Sequence, residues 1–500
     1  MKKWLPPAVL TAIFVLFRVP VLLNAGLLNS DGAIAGLQAR AMLAGEWEWA
    51  HWGRHYLTSL DSVVAAPFFA IFGATPQVLL SVTLLAQLTF TWLAYAIVSR
   101  RAGAWTALIA TLPVAFMTMA LNIYLFFDVR QWCVALVLLA CWLFDRAPES
   151  GRPRVMLVVG LVVSFVALFV DLFAVQFLPG LILFAVLSAH DGTLKLRASL
   201  PRFLAVVGGL GLGFFLLQTM RGVAHLNTGR AGLQLSRVTT NWPLLVDQCL
   251  PWLIGAKVFA LDDMGSIDPA AAPGWFLPVQ LAGAIVFGGV LLSGAVLFFV
   301  QRIPWRVRVL GAVGAGMGFT SLFGFLGSST AQDILGARLL LPVIVALPLT
   351  LAPLASLAGD PRRFALILSP YLLCTAIGGW LSYGPLVHGA TPRGAMTEER
   401  ALGAALRERG IRYAAADYWI AYRLSFILGE DPIVVPEASE DRYPRWRTEF
   451  DAQSRVAYVF HPSSPTPTLE SIEARLAEQR LGFEKLVVQG YTVLIVQRTR

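Results

Sequence analysis

Charge is what this 500-residue chain has little of: 14% of its residues are Asp, Glu, Lys or Arg, against 57% hydrophobic, and its mean hydropathy is +0.67. That balance excludes a soluble globular protein, in which about a quarter of residues are charged. Cysteine is scarce too. Of the four, Cys133, Cys141 and Cys374 lie in or beside apolar runs and Cys249 stands alone in a loop, so neither a disulfide framework nor a ligand-spaced metal cluster is legible. No fixed-period repeat or low-complexity tract occurs, and Pro462 to Pro467 reads as a local turn-rich linker. No convincing small-residue cleavage site follows Met1-Lys2-Lys3 and its apolar stretch, so the first span is expected to be retained.

What the chain has instead is apolar runs of roughly 20 residues, the length of a helix crossing a hydrocarbon core about 30 Å thick. They lie near 5–27, 77–98, 104–123, 131–144, 155–171, 173–190, 203–220, 278–300, 309–327, 338–357 and 363–381. Their Leu, Val, Ala and Gly mix lacks the alternation of barrel strands. The expected fold is a polytopic α-helical membrane protein with about 11 transmembrane helices. Segment 62–74, short and broken by Pro67, is expected to be half-buried or re-entrant.

Every second short connection is basic: Lys2 and Lys3, Arg100 and Arg101, Arg146 with Arg152 and Arg154, Lys195 with Arg197 and Arg202, Arg302 with Arg306 and Arg308, then Arg362 and Arg363. This predicts a multi-pass protein of a bacterial inner membrane with these connections and the N-terminus in the cytoplasm. An odd number of spans then exports the C-terminal part to the periplasmic side. The net charge of +9 is largely this signal, and nucleic-acid binding need not be invoked.

Loop length is concentrated on the other side, in 28–61, 221–277 and everything after about 382, and long loops tend to be functional. The first opens with Asp31 in Asn29-Ser30-Asp31-Gly32, just outside the first span, where a carboxylate is well placed for chemistry at a membrane surface. An amphipathic period running to Gly45 predicts a helix lying on the membrane, followed by interfacial aromatics around Trp47, Trp49 and Trp52. From about 396 the pattern changes to alternating helices and short β-branched runs. These predict a small C-terminal α/β domain with a mixed sheet: helices 397–409, 418–428, 443–453 and 469–480, strands 412–416, 432–435 and 456–460, and two more within 484–497.

Asp31, its helix, Arg54-His55-Tyr56-Leu57-Thr58-Ser59-Leu60-Asp61 and the following Ala-Pro-Phe-Phe-Ala-Ile-Phe-Gly (66–73) together resemble the first outer loop of GT-C glycosyltransferases. The closest subgroup is the family 39-like one of protein O-mannosyltransferases and the aminoarabinose transferase of lipid A. Phe127-Asp128-Val129 resembles that family's second acidic position, Ala337-Arg338-Leu339-Leu340-Leu341-Pro342 its Arg-Tyr-Leu-Leu-Pro phrase, and Tyr418-Trp419-Ile420-Ala421-Tyr422-Arg423 the exported C-terminal domain of many bacterial members. Gly32 stands where many members carry a second acid, and Thr58-Ser59-Leu60-Asp61 replaces a Glu-Lys-Pro-Pro phrase. The resemblance implies inverting transfer of a sugar from a polyprenyl-phosphate donor to a glycan, lipid or protein acceptor on the outer face. It implies no cofactor and leaves divalent-metal dependence open.

On that reading Asp31 is the general base, taking the acceptor proton as the anomeric carbon is attacked. The bland alternative is that Ser30 or Asp31 caps its helix. Asp128 is a supporting acid, or pairs with Arg130 in water. Asp61, with Tyr56, orients the acceptor, or is an interfacial cap. Arg338 forks onto the carrier phosphate and stabilises the charge that develops as it leaves, with Arg54 and Arg40 as rivals, or it snorkels to headgroups. His51, His55, Glu46 and Glu48 lack ligand spacing for a metal, as do Asp262, Asp263 and Asp268. Arg18 and Asp171 lie toward membrane regions, and pairing within the bundle accounts for them. Rival functions are a transporter or flippase of lipid-linked sugars and a non-catalytic scaffold of the same fold.

Overall fold

The structure is a computed structural model that describes residues 4–116, 130–187, 196–223, 232–261, 267–385, 396–439, 441–462 and 466–498. Among these, eight helices are long and apolar enough to cross a membrane: Leu5–Leu23, Pro76–Ala102, Gln131–Glu149, Pro153–Val170, Gly274–Phe299, Trp305–Leu326, Ile334–Ala358 and Pro361–Tyr383. The other three expected spans fall on Ala104–Ala115, Leu172–Leu187 and the apolar stretch Val206–Leu216 within the 28-residue helix Leu196–Val223. Among the described residues, eight of the eleven expected spans thus meet that length and hydropathy, and the other three lie on apolar helical stretches. Hydropathy counts apolar residues but is blind to where backbone leaves the helix. Ala104–Ala115 contains Pro113 and stops at an extended Phe116, and Asp171 is extended before the Leu172–Phe177 3-10 turn. Leu60–Phe72, with Pro67 inside it, is a 13-residue helix.

Leu341–Ala358 lies at the centre of the bundle, with every side chain from Leu341 to Pro353 buried. Outer helices instead show apolar side chains to their surroundings, among them Val158, Val162, Ile285 and Leu366, a surface that hydrocarbon covers. Arg18 is fully enclosed at the break between Leu5–Leu16 and Val19–Leu23. Its guanidinium donates to Gln87 Oε1 at 3.3 Å, to the Val114 carbonyl at 3.3 Å and to the Ala115 carbonyl. Those carbonyls end a helix and have no partner within it, so the arginine satisfies what the short Ala104–Ala115 helix leaves open.

The C-terminal elements follow the expected alternation. Helices Thr397–Glu408, Tyr418–Leu428, Pro444–Asp451 and Leu469–Glu478 accompany a five-stranded sheet. Its order is Ile433–Pro436, Tyr413–Ala416, Arg455–Phe460, Tyr491–Gln497, Phe483–Val488. The first three strands are parallel and the last two antiparallel to their neighbours.

The first-loop helix, Ser30–Leu43, departs from expectation: it does not lie open on a surface. Residues from Ser30 to Ala39 are all buried, because the helix is packed between Leu60–Phe72 and the C-terminal Tyr418–Leu428. Its small residues make the approach possible, since a Cβ on Gly36 would stand 2.6 Å from Cε2 of Phe426. What the periodicity marked as a membrane-facing stripe is a face covered by another part of the same chain.

Candidate active site beneath the C-terminal region

Asn29 caps the Ser30–Leu43 helix, its side-chain oxygen accepting from the Gly32 amide at 3.1 Å. The cap therefore belongs to neither Ser30 nor Asp31. Ser30 accepts instead from the backbone amides of Tyr422 and Arg423, at 3.0 and 3.3 Å. Asp31 is left in the first turn, where the helix N-terminus favours a negative charge, and it is 5% exposed.

A hairpin brings the first partner. Ala50–His51 and Arg54–Thr58 pair antiparallel around Trp52 and Gly53, and Gly53 takes a positive φ of 66° that costs glycine little. Arg54 leaves that turn with its Nη2 donating to Asp31 Oδ2. The second partner comes from the far end of the chain: the Tyr418 hydroxyl donates to Asp31 Oδ1 at 2.5 Å. Burial, and then the neighbouring carboxylate, push the Tyr418 hydroxyl above the usual tyrosine range, so it remains a donor. Arg442 reaches the same phenolic oxygen at 3.1 Å.

The hairpin strand continues into a second polar cluster. Leu57 bridges to Asp171, and the Thr58 hydroxyl donates to the Val170 carbonyl at 3.4 Å. Asp171, 2% exposed, pairs with Arg130 at 3.1 Å and accepts from the Phe173 amide at 2.8 Å. Asp61, in the first turn of Leu60–Phe72, joins Asp171 and Arg130 in the charge environment of Cys133. Arg54 and Leu57 are three residues apart on one strand, so the clusters are separated by about 10 Å of backbone.

The remaining candidates divide. Arg40 is used in packing: it donates to the Ala74 carbonyl at 2.7 Å, lies 3.7 Å from Glu430 and has its guanidinium 4.4 Å from the centre of the Phe426 ring. Burial lowers the Arg40 pKa, with Glu430 opposing. Arg338 stands in the last turn of Ile334–Leu340, half-buried, and has no hydrogen bond or ion pair among the described residues. Asp128 lies outside the described residues, as do Asp262 and Asp263, and the Tyr56 side chain is likewise not described. Arg130, the partner considered for Asp128, holds Asp171. Glu46 faces Arg445 at 3.4 Å, and no group of three or more potential metal ligands gathers among the described residues.

Tyr418 and Arg442 were not among the sequence candidates. Tyr418 lies within a phrase that carried the resemblance, but a contact spanning 387 positions leaves no trace in local spacing. The Asp417 cap, whose side chain accepts from the Trp419 amide at 2.8 Å, was the available signal that a helix starts there and fixes the tyrosine at its first turn.

Residues 62–214 match the family described as dolichyl-phosphate-mannose-protein mannosyltransferase. The match begins just after Asp61, so Asp31 and Arg54 precede it. No curated protein matches the chain by sequence. Among solved structures, the chain is similar to ArnT from Cupriavidus metallidurans bound to undecaprenyl phosphate, with 16% identity and a TM-score of 0.52, over 99% of this chain and 98% of that one. It is also similar to the Archaeoglobus fulgidus oligosaccharyltransferase in complex with Zn and sulfate, with 12% identity and a TM-score of 0.51, over 91% of this chain and 67% of that one. The family match thus covers a part of the membrane bundle, and along nearly its whole length the chain has a fold similar to that of ArnT.

Proposed function

We propose that this chain transfers a sugar from a polyprenyl-phosphate carrier to an acceptor hydroxyl at the outer, periplasmic face, with inversion at the anomeric carbon and Asp31 as general base. The observation that carries this reading is the enclosed Asp31 carboxylate, ion-paired with Arg54 in a fold similar to that of an ArnT bound to undecaprenyl phosphate. The helix N-terminus and the guanidinium hold that carboxylate in place, where it can accept a proton.

The acceptor oxygen attacks the anomeric carbon from the side opposite the phosphate, and its proton passes to Asp31. The bond from that carbon to the phosphate oxygen breaks, and the polyprenyl phosphate departs with the electron pair. Charge grows on the leaving phosphate, which is where a guanidinium contributes most. Arg338 suits that task because no described carboxylate neutralises it, whereas Arg40 is committed to packing and Arg54 to Asp31. Asp128 is assigned a supporting role in the site, and Asp61 the orientation of the acceptor or of a basic partner. Both rest on the resemblance, and that of Asp128 also on its place in sequence just before Arg130, which holds Asp171.

The test is purified protein in lipid nanodiscs with a polyprenyl-phosphate-linked sugar and release of polyprenyl phosphate as the readout. Asp31→Asn keeps the shape and removes the basicity, so release should fall by about 10²-fold or more. Full turnover in a folded Asp31→Asn protein rules out the assignment of the base. A wild-type protein that translocates the donor across the bilayer without cleaving it is a transporter instead.

A further inference from the structure

Both oxygens of Asp31 are held, and both holders are fixed by a single residue of the C-terminal region. Arg442 donates from Nε to the Tyr418 oxygen at 3.1 Å and from Nη1 to the Gly53 carbonyl at 2.6 Å. Gly53 immediately precedes Arg54, so one guanidinium spans the tyrosine on Oδ1 and the turn that delivers the arginine on Oδ2. The fit allows no side chain at Gly53, where a Cβ would come within 2.9 Å of the Arg442 Cα. An arginine only donates. The Tyr418 oxygen is therefore the acceptor from Arg442, and its one proton goes to Asp31.

We infer that Tyr418, oriented by Arg442, is a positioning residue for the Asp31 carboxylate, so that the C-terminal region completes the site rather than merely roofing it. The inference rests on Asp31 being the base. A hydrogen bond donated to a carboxylate favours its charged form. Among the described residues, Arg54 from the hairpin and Tyr418 from its helix contact Asp31, with Arg442 behind Tyr418. The carboxylate is thereby aimed with a fixed pair of lone-pair directions left for an acceptor.

The test uses the full chain in nanodiscs with a polyprenyl-phosphate sugar, reading kcat/KM against pH. Tyr418→Phe removes one oxygen and should raise the midpoint of the acid limb by about half to one pH unit, with the loss largest below that midpoint and partly recovered above it. Arg442→Gln should shift the midpoint the same way. Tyr413→Phe is the control in the same region: its hydroxyl donates to Glu449 at 2.8 Å and touches neither Asp31 nor Arg442, so it should lower stability and leave the midpoint in place. A wild-type midpoint in Tyr418→Phe, whether or not the rate falls, overturns the inference and reduces the tyrosine to packing. Asp31→Asn separates the two readings. If it is inactive while Tyr418→Phe titrates like wild type, only the positioning role fails; if Asp31→Asn is active, the base assignment fails and takes the inference with it.

Discussion

Arg54 and Asp31 meet through Nη2 and Oδ2 with side chains 12% and 4% exposed. A pair this enclosed is poorly screened by solvent, and losing one member leaves the other as an uncompensated charge. Arg54→Ala should therefore leave the enclosed Asp31 carboxylate without its counter-charge and without the contact that aims it. Transfer should fall by about 10²-fold. Arg54→Lys, which keeps charge but not the planar fork, should fall in between. Donor affinity beside single-turnover release for the three proteins checks this, and a loss confined to donor affinity would point to a phosphate-binding role for Arg54 instead.

The packing of Ser30–Leu43 against Tyr418–Leu428 gives a prediction independent of turnover. Gly36→Leu places a side chain where a Cβ alone meets Phe426 at 2.6 Å and Leu79 at 3.1 Å. Overpacking of this kind costs about 1–3 kcal/mol, and it falls on the contact between Ser30–Leu43 and the Phe426 helix. Backbone amides of 418–428 should exchange faster with deuterium in the variant, while those of Leu341–Ala358 keep their wild-type protection. Unchanged exchange in 418–428 would mean that the two helices are not held together in solution.

Most of the helical bundle was readable from the sequence because hydropathy over roughly 20 residues is a strong signal, and the C-terminal alternation was equally plain from period and caps. What escaped was whatever depends on distant parts of the chain meeting. Residues 30–43 have an amphipathic period that does not say what covers the stripe, so a membrane surface was expected where Phe426 and its helix lie. Asp31 was legible as a candidate, and Arg54 as a cation of the same loop, but not their pairing. Tyr418 and Arg442 reach Asp31 and Gly53 across nearly 390 positions, beyond any spacing rule. Asp171 was read only as a residue of the bundle, yet it anchors the hairpin strand at Leu57 and holds Arg130.

The short basic connections predict a cytoplasmic N-terminus and an exported C-terminal region, and the chemistry proposed for Asp31 and Tyr418 needs both on the outer side. A phosphatase reporter joined after residue 500 should be active in cells, and a cysteine at exposed position Arg480 should react with a membrane-impermeant maleimide in intact spheroplasts. A reporter active only in the cytoplasm would put the site on the wrong face for an exported acceptor.

Arg338 differs from the other candidate cations in what surrounds it. Arg40 has Glu430, Ala74 and Phe426, Arg54 has Asp31, and Arg442 has Tyr418 and Gly53, whereas Arg338 is half-buried without a described anion. A partly dehydrated guanidinium is costly unless something negative meets it during the working cycle, and the departing polyprenyl phosphate is such a group. Arg338→Ala should weaken donor binding and also slow the chemical step, since the phosphate gains charge as it leaves; a loss of about 10²-fold in kcat/KM is expected. Arg338→Lys should keep more of the binding than of the rate, because a point charge attracts the phosphate but does not fork onto two of its oxygens. Donor affinity measured directly, beside single-turnover release of polyprenyl phosphate, separates the two effects. If Arg338→Ala retains both, the residue is an anchor at the membrane boundary, and the phosphate must be held by Arg54 once Asp31 lets it go.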